Sequence, residues 1–437
     1  MDKVSWYILF DSSHNKIRET KYFYDNHQYG DPPSKGDLTK TEQWLDTGGG
    51  NPTTYYTYDS FGNLYKQTDV LGRTATYDYG IRDDTHTYPD RITNALGHAI
   101  DYTYDVGTGN VIRYTKHGVN FDYEYDTFGR ITKDIDPYDT SDFPTKKYTY
   151  DFDGIAPEII KVSQRTTSNK TIDTYYFYDG FGNLVQIKGP SDNGQQVVKN
   201  LFYDGLFRVK EEQNPYFDAS STTLANKSNT TNTTKYNYDV LSRVISVINP
   251  DGTIKNTTYN KWNISDYDEN GNRHDYQLDA HGRIILVREY NTDYYIGDNE
   301  TYNTTYSYSP ADELIGIRDV FGNTFNFTYD SLGRKTRLDD PDLGIWDYTY
   351  DLASNLILQT DNKGNQIKLS YDALNRILQK NTSTEAITFS YDKQYQGTLT
   401  NISYGNGTFV YTYDDRLRIT KEEMTLRHQR PFITGMT

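Results

Sequence analysis

A tyrosine followed by an aspartate is the most frequent candidate for chemistry in this 437-residue sequence. The pair opens the pattern Tyr-Asp-x-x-Gly-[Asn/Arg], as in residues 329–334. Carboxylates at close spacing could act as acid and base in glycoside hydrolysis. However, an Asp followed three residues later by Gly is also typical of a tight turn. Because a turn explains every copy of the pattern, we predict that these residues are scaffold and not catalytic.

Two other motifs resemble ligand or catalytic sites. Residues 266–272, DYDENGN, match the first half of a calcium loop, but its twelfth position is Gln277 and its flanks are strand-like. Residues 44–50, WLDTGGG, contain the Asp-Thr-Gly of aspartic proteases, which need a second such carboxylate that the sequence lacks. We therefore predict no catalytic residue, no bound metal and no cofactor, and expect that the chain is not an enzyme.

The elements that carry these motifs follow from their spacing. Tyr308, Tyr329, Tyr350 and Tyr371 are each separated by 21 residues, and such a fixed period indicates a repeat architecture. Each period contains two turn signals and two runs of alternating residues. In TFNFTY, residues 324–329, the aromatic side chains share one face and the Thr and Asn side chains share the other. Each repeat is therefore predicted to be a β-hairpin.

The repeats predict an all-β fold of tandem hairpins in one long, curled antiparallel sheet that forms a hollow shell or partial shell. The alternative is a β-propeller, in which hairpins pair into four-stranded blades. Odd and even repeats do not alternate, which favours the continuous sheet. We expect one repeat array over residues 1–437, regular over about 55–420, with atypical ends at 1–54 and 421–437 and an inserted loop at 214–235.

Composition limits the possible functions. The net charge of −16 repels phosphate backbones, so nucleic-acid binding is not expected. The sequence has 44 tyrosines and no cysteine, which excludes disulfides and thiolate metal sites. The opening apolar run WYILF, residues 6–10, is too short to span a membrane and lacks the basic flank of a signal peptide. We expect a segment of a longer polypeptide that does not itself insert into a membrane.

Glycosylation sequons indicate the compartment. Twelve N-x-[ST] sequons occur, all from residue 169 onward. If they are used, they place the chain outside the cell and their side chains on the outer surface. The candidate sites are Asn226, Asn229, Asn232, Asn256, Asn263, Asn303 and Asn326.

Two stretches carry a resemblance to a known family. Residues 56–79, YTYDSFGNLYKQTDVLGRTATYDY, and residues 327–340, FTYDSLGRKTRLDD, resemble the YD repeats of bacterial Rhs proteins, of the shell subunits of insecticidal toxin complexes and of teneurins. The resemblance implies a spiralling strip that forms a hollow shell, which encloses an effector in toxins and serves cell-surface recognition in teneurins. The cleavage segment of Rhs cores, rich in Asp-Pro-x-Gly-Leu, has no match at residues 427–437, so no catalytic residue is carried over.

The sequence thus predicts a non-enzymatic shell segment of an exported, toxin-like or cell-surface protein. Its expected partner is an enclosed polypeptide cargo, or a cell-surface protein or glycan. The alternative is a carbohydrate-binding or adhesion module, in which ladders of exposed Tyr and Phe rings stack on sugars.

Overall fold

The chain folds into antiparallel β-strands throughout the part that the structure describes. The structure is a computed structural model, and it describes residues 3–82, 84–167, 170–191, 194–225, 232–290 and 301–426. Thirty-six strands and no helix occur within these ranges. Among these residues there is accordingly no helical segment that could cross a membrane.

The strands of the first half are β1 (Trp6–Phe10), β2 (Lys16–Tyr24), β3 (Leu38–Gln43), β4 (Thr53–Tyr58), β5 (Leu64–Thr68), β6 (Thr74–Asp78), β7 (Arg91–Thr93), β8 (Ala99–Tyr104), β9 (Val111–Lys116), β10 (Val119–Tyr125), β11 (Ile131–Ile135), β12 (Lys146–Asp151), β13 (Glu158–Thr167), β14 (Lys170–Tyr178), β15 (Leu184–Pro190), β16 (Gln196–Tyr203), β17 (Val209–Gln213) and β18 (Tyr216–Asp218).

The strands of the second half are β19 (Thr233–Tyr238), β20 (Val244–Ile248), β21 (Ile254–Asn260), β22 (Asn263–Tyr267), β23 (Arg273–Leu278), β24 (Ile284–Tyr290), β25 (Thr301–Tyr308), β26 (Leu314–Arg318), β27 (Thr324–Tyr329), β28 (Lys335–Asp340), β29 (Gly344–Tyr350), β30 (Leu356–Thr360), β31 (Gln366–Tyr371), β32 (Ile377–Asn381), β33 (Ala386–Tyr391), β34 (Leu399–Tyr404), β35 (Gly407–Tyr413) and β36 (Ile419–Leu426).

The hairpin of β27 and β28 shows how one repeat is built. Phe327 pairs with Leu338, and Tyr329 pairs with Lys335 after a one-residue register shift. The same shift occurs beside the tyrosine that precedes the turn in many other hairpins, for example those ending at residues 58, 178, 350 and 413. The shift is a β-bulge, which increases the local twist of the strands. The sequence motif and the bulge therefore mark the same point of each repeat.

The two faces of the sheet differ in chemistry. In β27 the side chains of Phe325, Phe327 and Tyr329 are half-buried, while Thr324, Asn326 and Thr328 are exposed. We call the side that carries the tyrosine of each Tyr-Asp pair the tyrosine face, and the opposite side the threonine face. The alternation predicted for residues 324–329 is confirmed.

The described strands belong to one sheet of 36 strands, which is not divided into blades. The prediction of a curled, continuous repeat sheet is confirmed, and the propeller alternative is not observed. By its contacts the chain forms two compact units. Unit 1 comprises residues 1–121, 307–317 and 323–437, and unit 2 comprises residues 122–306 and 318–322.

The sheet has little conventional core. Among the described residues few apolar side chains are buried: Leu45, Ile135, Phe177 and Val198, together with Pro52 and Pro137. Most strand residues are half-buried instead. Stability must therefore come largely from cross-strand pairs and from turn contacts, which are the unit of stabilisation in a sheet.

Candidate functional site

Each regular repeat closes its turn with an aspartate. In residues 330–334, Asp330 Oδ1 accepts hydrogen bonds from the backbone N–H groups of Leu332 and Arg334, both at 3.0 Å. Asp330 Oδ2 accepts from Arg334 Nε at 2.6 Å. Gly333 has a φ of 79°, a left-handed conformation that glycine adopts without steric cost. Both oxygens of the carboxylate are thus engaged in holding the turn.

The arginine of this turn also contacts the next hairpin. Arg334 Nη1 donates to Asp351 O at 2.8 Å, and its guanidinium lies 5.0 Å from the centre of the Tyr350 ring. The Tyr350 hydroxyl donates to Lys335 O at 2.9 Å. We call this set of contacts, from the turn aspartate through the turn arginine to the next tyrosine, the Tyr-Asp-Arg lock.

The lock recurs in both units. The guanidinium lies 4.0 to 4.5 Å from the centre of the tyrosine ring in the pairs Arg243–Tyr259, Arg376–Tyr391, Arg130–Tyr150 and Arg208–Tyr238. Where the arginine is replaced by asparagine, the side-chain amide donates to the turn aspartate instead, at 2.7 to 2.9 Å from Asn183, Asn272, Asn355 and Asn365. The repeated motif therefore encodes contacts within and between neighbouring hairpins.

These contacts also determine how the repeated groups titrate. The hydrogen bond from the Arg208 side chain lowers the pKa of Asp204, and the one from the Asn272 side chain lowers the pKa of Asp268. Burial raises the pKa of Tyr329. Both shifts move the groups away from neutral pH, where a general acid or base works best. The arrangement favours a structural role for the Tyr-Asp pairs.

A second set of contacts, within unit 1, joins parts of the chain that are far apart in sequence. We call it the seam; it lies between residues 18–117 and residues 313–397. Ser331 Oγ donates to Trp44 O at 2.7 Å, and Ser331 N donates to Asp46 Oδ1 at 2.9 Å. Asp46 N donates back to Ser331 Oγ at 3.0 Å. Two further pairs cross the seam, Arg18 with Glu313 and Arg73 with Asn375.

Two histidines lie at the seam beside a cavity of about 170 Å³. His98 Nε2 is 3.6 Å from Asp392 Oδ2. His117 is at the tip of the β9–β10 hairpin with a φ of 56°, and both of its ring nitrogens are buried without a hydrogen-bond partner among the described residues. Burial lowers the pKa of His117, and the positive charge of Lys116 acts in the same direction. The seam therefore contains a histidine that resists protonation.

In unit 2, residues 214–225 cover part of the threonine face, and we call them the strap. The strap contributes β18, which pairs with β16. Gln186 donates to Ala225 O at 2.9 Å and accepts from Ala225 N at 2.8 Å. Lys188 Nζ donates to Thr223 O at 2.5 Å. Lys188 is fully buried, and burial lowers the pKa of its amine.

The motifs that resembled catalytic or metal sites have structural contacts. Asp46, the aspartate of the Asp-Thr-Gly sequence, binds Ser331 at the seam. Asp268, at the centre of the calcium-like stretch, accepts hydrogen bonds from the N–H groups of Asn270 and Asn272 at 2.9 and 2.8 Å. It thus closes a turn of the same kind as Asp330. In the described ranges no three His, Asp or Glu side chains converge to form a metal site.

The sequon asparagines are distributed along unit 2 and the last part of unit 1. Asn256, Asn263 and Asn326 are exposed, and Asn303 is half-buried and accepts from Arg288 Nε at 3.1 Å. The strand pairings place these four residues on the threonine face. Asn232 is exposed just before β19, whereas Asn226 and Asn229 lie outside the described residues. Whether any of these sites is glycosylated stays a prediction.

The Tyr-Asp pair at residues 24–25 lies in the stretch 1–54 that the sequence analysis treated as atypical. The Tyr24 hydroxyl donates to Val4 O at 2.9 Å, as the lock tyrosines do to their preceding hairpins. The Asp25 carboxylate accepts from the N–H groups of Ser34, Gly36 and Asp37, at 2.6 to 3.1 Å. These backbone hydrogen bonds, chiefly the one from Gly36, lower the pKa of Asp25. Here the aspartate closes a loop of 13 residues, 25–37.

The fold is shared with solved toxin structures. The chain superposes on TcdB2-TccC3 with a TM-score of 0.80 and 15% sequence identity, covering 98% of this chain and 28% of that one. On TcdB2-TccC3-TEV the TM-score is 0.80 and the identity 13%, covering 94% of this chain and 29% of that one. On the Photorhabdus luminescens Tc holotoxin pore the TM-score is 0.68 and the identity 13%, with coverages of 95% and 29%.

The chain has the fold of part of these Tc toxin chains. The predicted resemblance to shell-forming subunits of toxin complexes is thus confirmed as a likeness of fold. The chain spans less than a third of the length of the toxin chains that it matches, at 28 to 29%. No protein-family model matches the chain, and no curated protein matches its sequence.

Proposed function

We propose that this chain is a non-enzymatic wall segment of an exported shell that encloses a polypeptide cargo. The proposal rests chiefly on the Tyr-Asp-Arg lock. It occupies the carboxylates, guanidiniums and phenols that recur most often in the chain, as the turn of Asp330 illustrates. A surface built from such locked hairpins serves as a wall and offers no repeated reactive group.

The seam in unit 1 supports the proposal. Ser331 and Asp46 are 285 residues apart in sequence, and three hydrogen bonds join them and Trp44. Contacts of this kind let distant hairpins of one strip support each other, which a wall requires and an extended ribbon would lack. The fold shared with TcdB2-TccC3 adds support from a toxin of known structure.

The position of the sequons supports an exported protein whose threonine face is the outer one. Asn256, Asn263 and Asn326 are exposed on that face, where a glycan would meet solvent. A glycan on the tyrosine face would instead displace the ring and arginine contacts of the lock. The cargo would then meet the tyrosine face.

The alternative, a carbohydrate-binding module that uses tyrosine ladders, is less well supported. The lock tyrosines are covered by guanidinium groups, as Tyr259 is by Arg243 at 4.0 Å. Their hydroxyls are also engaged, since Tyr259 donates to Val244 O at 3.2 Å. A sugar would have to displace both contacts to stack on the ring.

Small-angle X-ray scattering of the purified chain tests the wall proposal. A wall around a space gives a distance distribution shifted to longer distances than that of a filled globule of 50.7 kDa. A distribution and a radius of gyration that match a filled globule, about 22 Å for 437 residues, would refute the proposal. A separate experiment tests export and the outer face, by mass spectrometry of the chain secreted from a glycosylating host. If the threonine face is the outer one, the glycosylated sequons must include Asn256, Asn263 or Asn326.

A further inference from the structure

The widest part of the sheet in unit 2 has a feature that the wall function does not require. Strands β13 and β14 have ten and nine residues, compared with six in β27, so they extend beyond the length of a regular repeat. Their cross-strand pairs place Lys147, Ser163 and Asp173 side by side on the threonine face. The extension therefore presents a row of polar side chains on the face that carries the exposed sequons.

Two adjoining cavities follow this row, and together we call them the polar groove. The first measures about 300 Å³ and is bounded by the loop at residues 142–144 and by β12, β13 and β14. The second measures about 660 Å³ and continues between β14 and the strap at residues 220–222. Thr171 and Asp173 line both cavities, so the two cavities adjoin at β14.

The groove concentrates positive charge in a strongly negative chain. Four basic side chains line its first cavity, Lys147, Lys161, Arg165 and Lys170, against two carboxylates, Asp142 and Asp173. Lys161 Nζ pairs with Asp173 Oδ2 at 2.7 Å, and Arg165 Nη1 pairs with Asp139 Oδ1 at 2.8 Å. Lys147 and Lys170 are exposed, and neither is in an ion pair with a described residue. Two unpaired ammonium groups therefore flank the row of polar side chains.

The walls of the groove are held in place by hydrogen bonds. Arg165 Nη1 also donates to Phe143 O at 2.8 Å, which fixes the loop that forms one wall. The other wall is fixed by Gln196, whose Oε1 accepts from Ser221 N in the strap at 2.9 Å. Gln196 is itself buried. A groove with fixed walls loses little conformational entropy when a ligand binds.

We propose that the polar groove binds an acidic oligosaccharide. The unpaired ammonium groups of Lys147 and Lys170 suit the carboxylates of uronic or sialic acid residues. Sugar hydroxyls both donate and accept, and the groove offers both functions through Asp173, Ser163 and the hydroxyls of the strap. Tyr175 also lines the second cavity, where Lys161 Nζ lies 5.5 Å from the centre of its ring, so Tyr175 forms part of the wall and does not offer a free stacking surface.

The lining of the groove favours a sugar over other polyanions. A peptide ligand would need apolar pockets for its side chains, whereas the second cavity is lined mostly by Ser, Thr, Gln and Gly. Nucleic acid would need a broad basic surface, whereas only four basic side chains line the first cavity. The experiment below distinguishes an acidic sugar from an acidic peptide by comparing their binding.

Isothermal titration calorimetry of the whole chain with tetragalacturonate tests the proposal. We expect saturable binding that weakens as salt is raised, because exposed charge contacts are screened. The fully methyl-esterified tetramer, which lacks the carboxylates, should bind at least about fivefold more weakly, since each exposed ion pair contributes little by itself. Circular dichroism of each variant confirms that it is folded.

The double variant Lys147→Ala/Lys170→Ala should lose about fivefold to tenfold in affinity for tetragalacturonate. The matched control is Lys35→Ala/Lys363→Ala, which removes two exposed lysines of unit 1 and leaves the groove intact. The proposal is overturned if tetragalacturonate does not bind at millimolar concentration, or if both double variants bind equally well. It is also overturned if tetraglutamate binds as tightly as the sugar, which would show that the groove recognises charge alone.

Discussion

The buried Asp-Arg pair of the turn at residues 330–334 should contribute much more stability than the exposed Asp-Arg pair of the turn at residues 414–418. Asp330 and Arg334 have side-chain exposures of 0% and 11%, whereas Asp414 and Arg418 have exposures of 26% and 70%. The hydrogen bonds are the same in both turns, with Arg418 Nε donating to Asp414 Oδ2 at 2.7 Å. The turns also differ in the seam contacts of Ser331 and in Leu417, which replaces Gly333, but the bonds made by the two aspartates themselves differ mainly in burial.

Asp330→Ala removes the partner of a buried guanidinium and two acceptors of backbone N–H groups. Breaking a buried pair in this way costs about 3 to 5 kcal/mol. Asp414→Ala removes the same contacts where water can replace them, and should cost about 1 kcal/mol. Asp330→Asn keeps the acceptor for the backbone groups and loses only the charge, so an intermediate cost is expected.

Hydrogen exchange measured by mass spectrometry reports these costs locally. At about 3 kcal/mol, Asp330→Ala should speed exchange in the peptide of residues 324–340 by more than about a hundredfold. Asp414→Ala should speed exchange in residues 407–426 by about fivefold. If the two variants accelerate exchange in their own hairpins by the same factor, burial of the ion pair adds nothing and the reasoning is wrong.

Three further predictions concern backbone conformation and pH. Ser354 has a φ of 66°, a left-handed conformation, and it occupies the turn position that Gly364 occupies in the next turn. Because glycine adopts this conformation without steric cost, Ser354→Gly should stabilise the chain by about 0.5 kcal/mol and Gly364→Ser should destabilise it by a similar amount. Urea denaturation measures both changes. The free energy of unfolding should fall as pH falls below about 6.5, because His117 takes up a proton at a higher pH in the unfolded chain than in the folded one. His117→Asn should therefore weaken the dependence of the free energy of unfolding on pH between pH 6.5 and 5. Lys188→Met should raise the free energy of unfolding by about 1 kcal/mol at pH 7, and this advantage should shrink as pH rises toward the ordinary lysine pKa, because the buried amine loses its proton before the unfolded one does; a loss of stability at pH 7 would contradict the desolvation argument.

The regular part of the fold could be predicted because its causes are local. The alternation of Phe325, Asn326 and Phe327 reports which face is half-buried, and the Asp-to-Gly spacing reports the turn. The conclusion that Asp268 closes a turn follows from the same pattern. Each of these signals involves only a few neighbouring residues, so it can be recognised in every repeat even though the rest of the sequence differs from one repeat to the next.

The seam and the strap could not be predicted because their causes are distant. Nothing near Ser331 indicates that it will meet Asp46, 285 residues away. Gln186 and Lys188 look like ordinary exposed strand residues, and only the folded strap buries them. The basic side of the polar groove is likewise assembled from three strands, and no single stretch of sequence contains it.

The lock has a mechanical consequence. Each lock joins one hairpin to its neighbour, as Arg334 does with Tyr350 and Asp351. A force applied to the C-terminal end of the sheet would thus load one lock at a time, and the first lock to be loaded would be that of Arg376 and Tyr391. The chain should unzip in steps of one hairpin, each releasing about 21 residues or roughly 70 Å of extended chain.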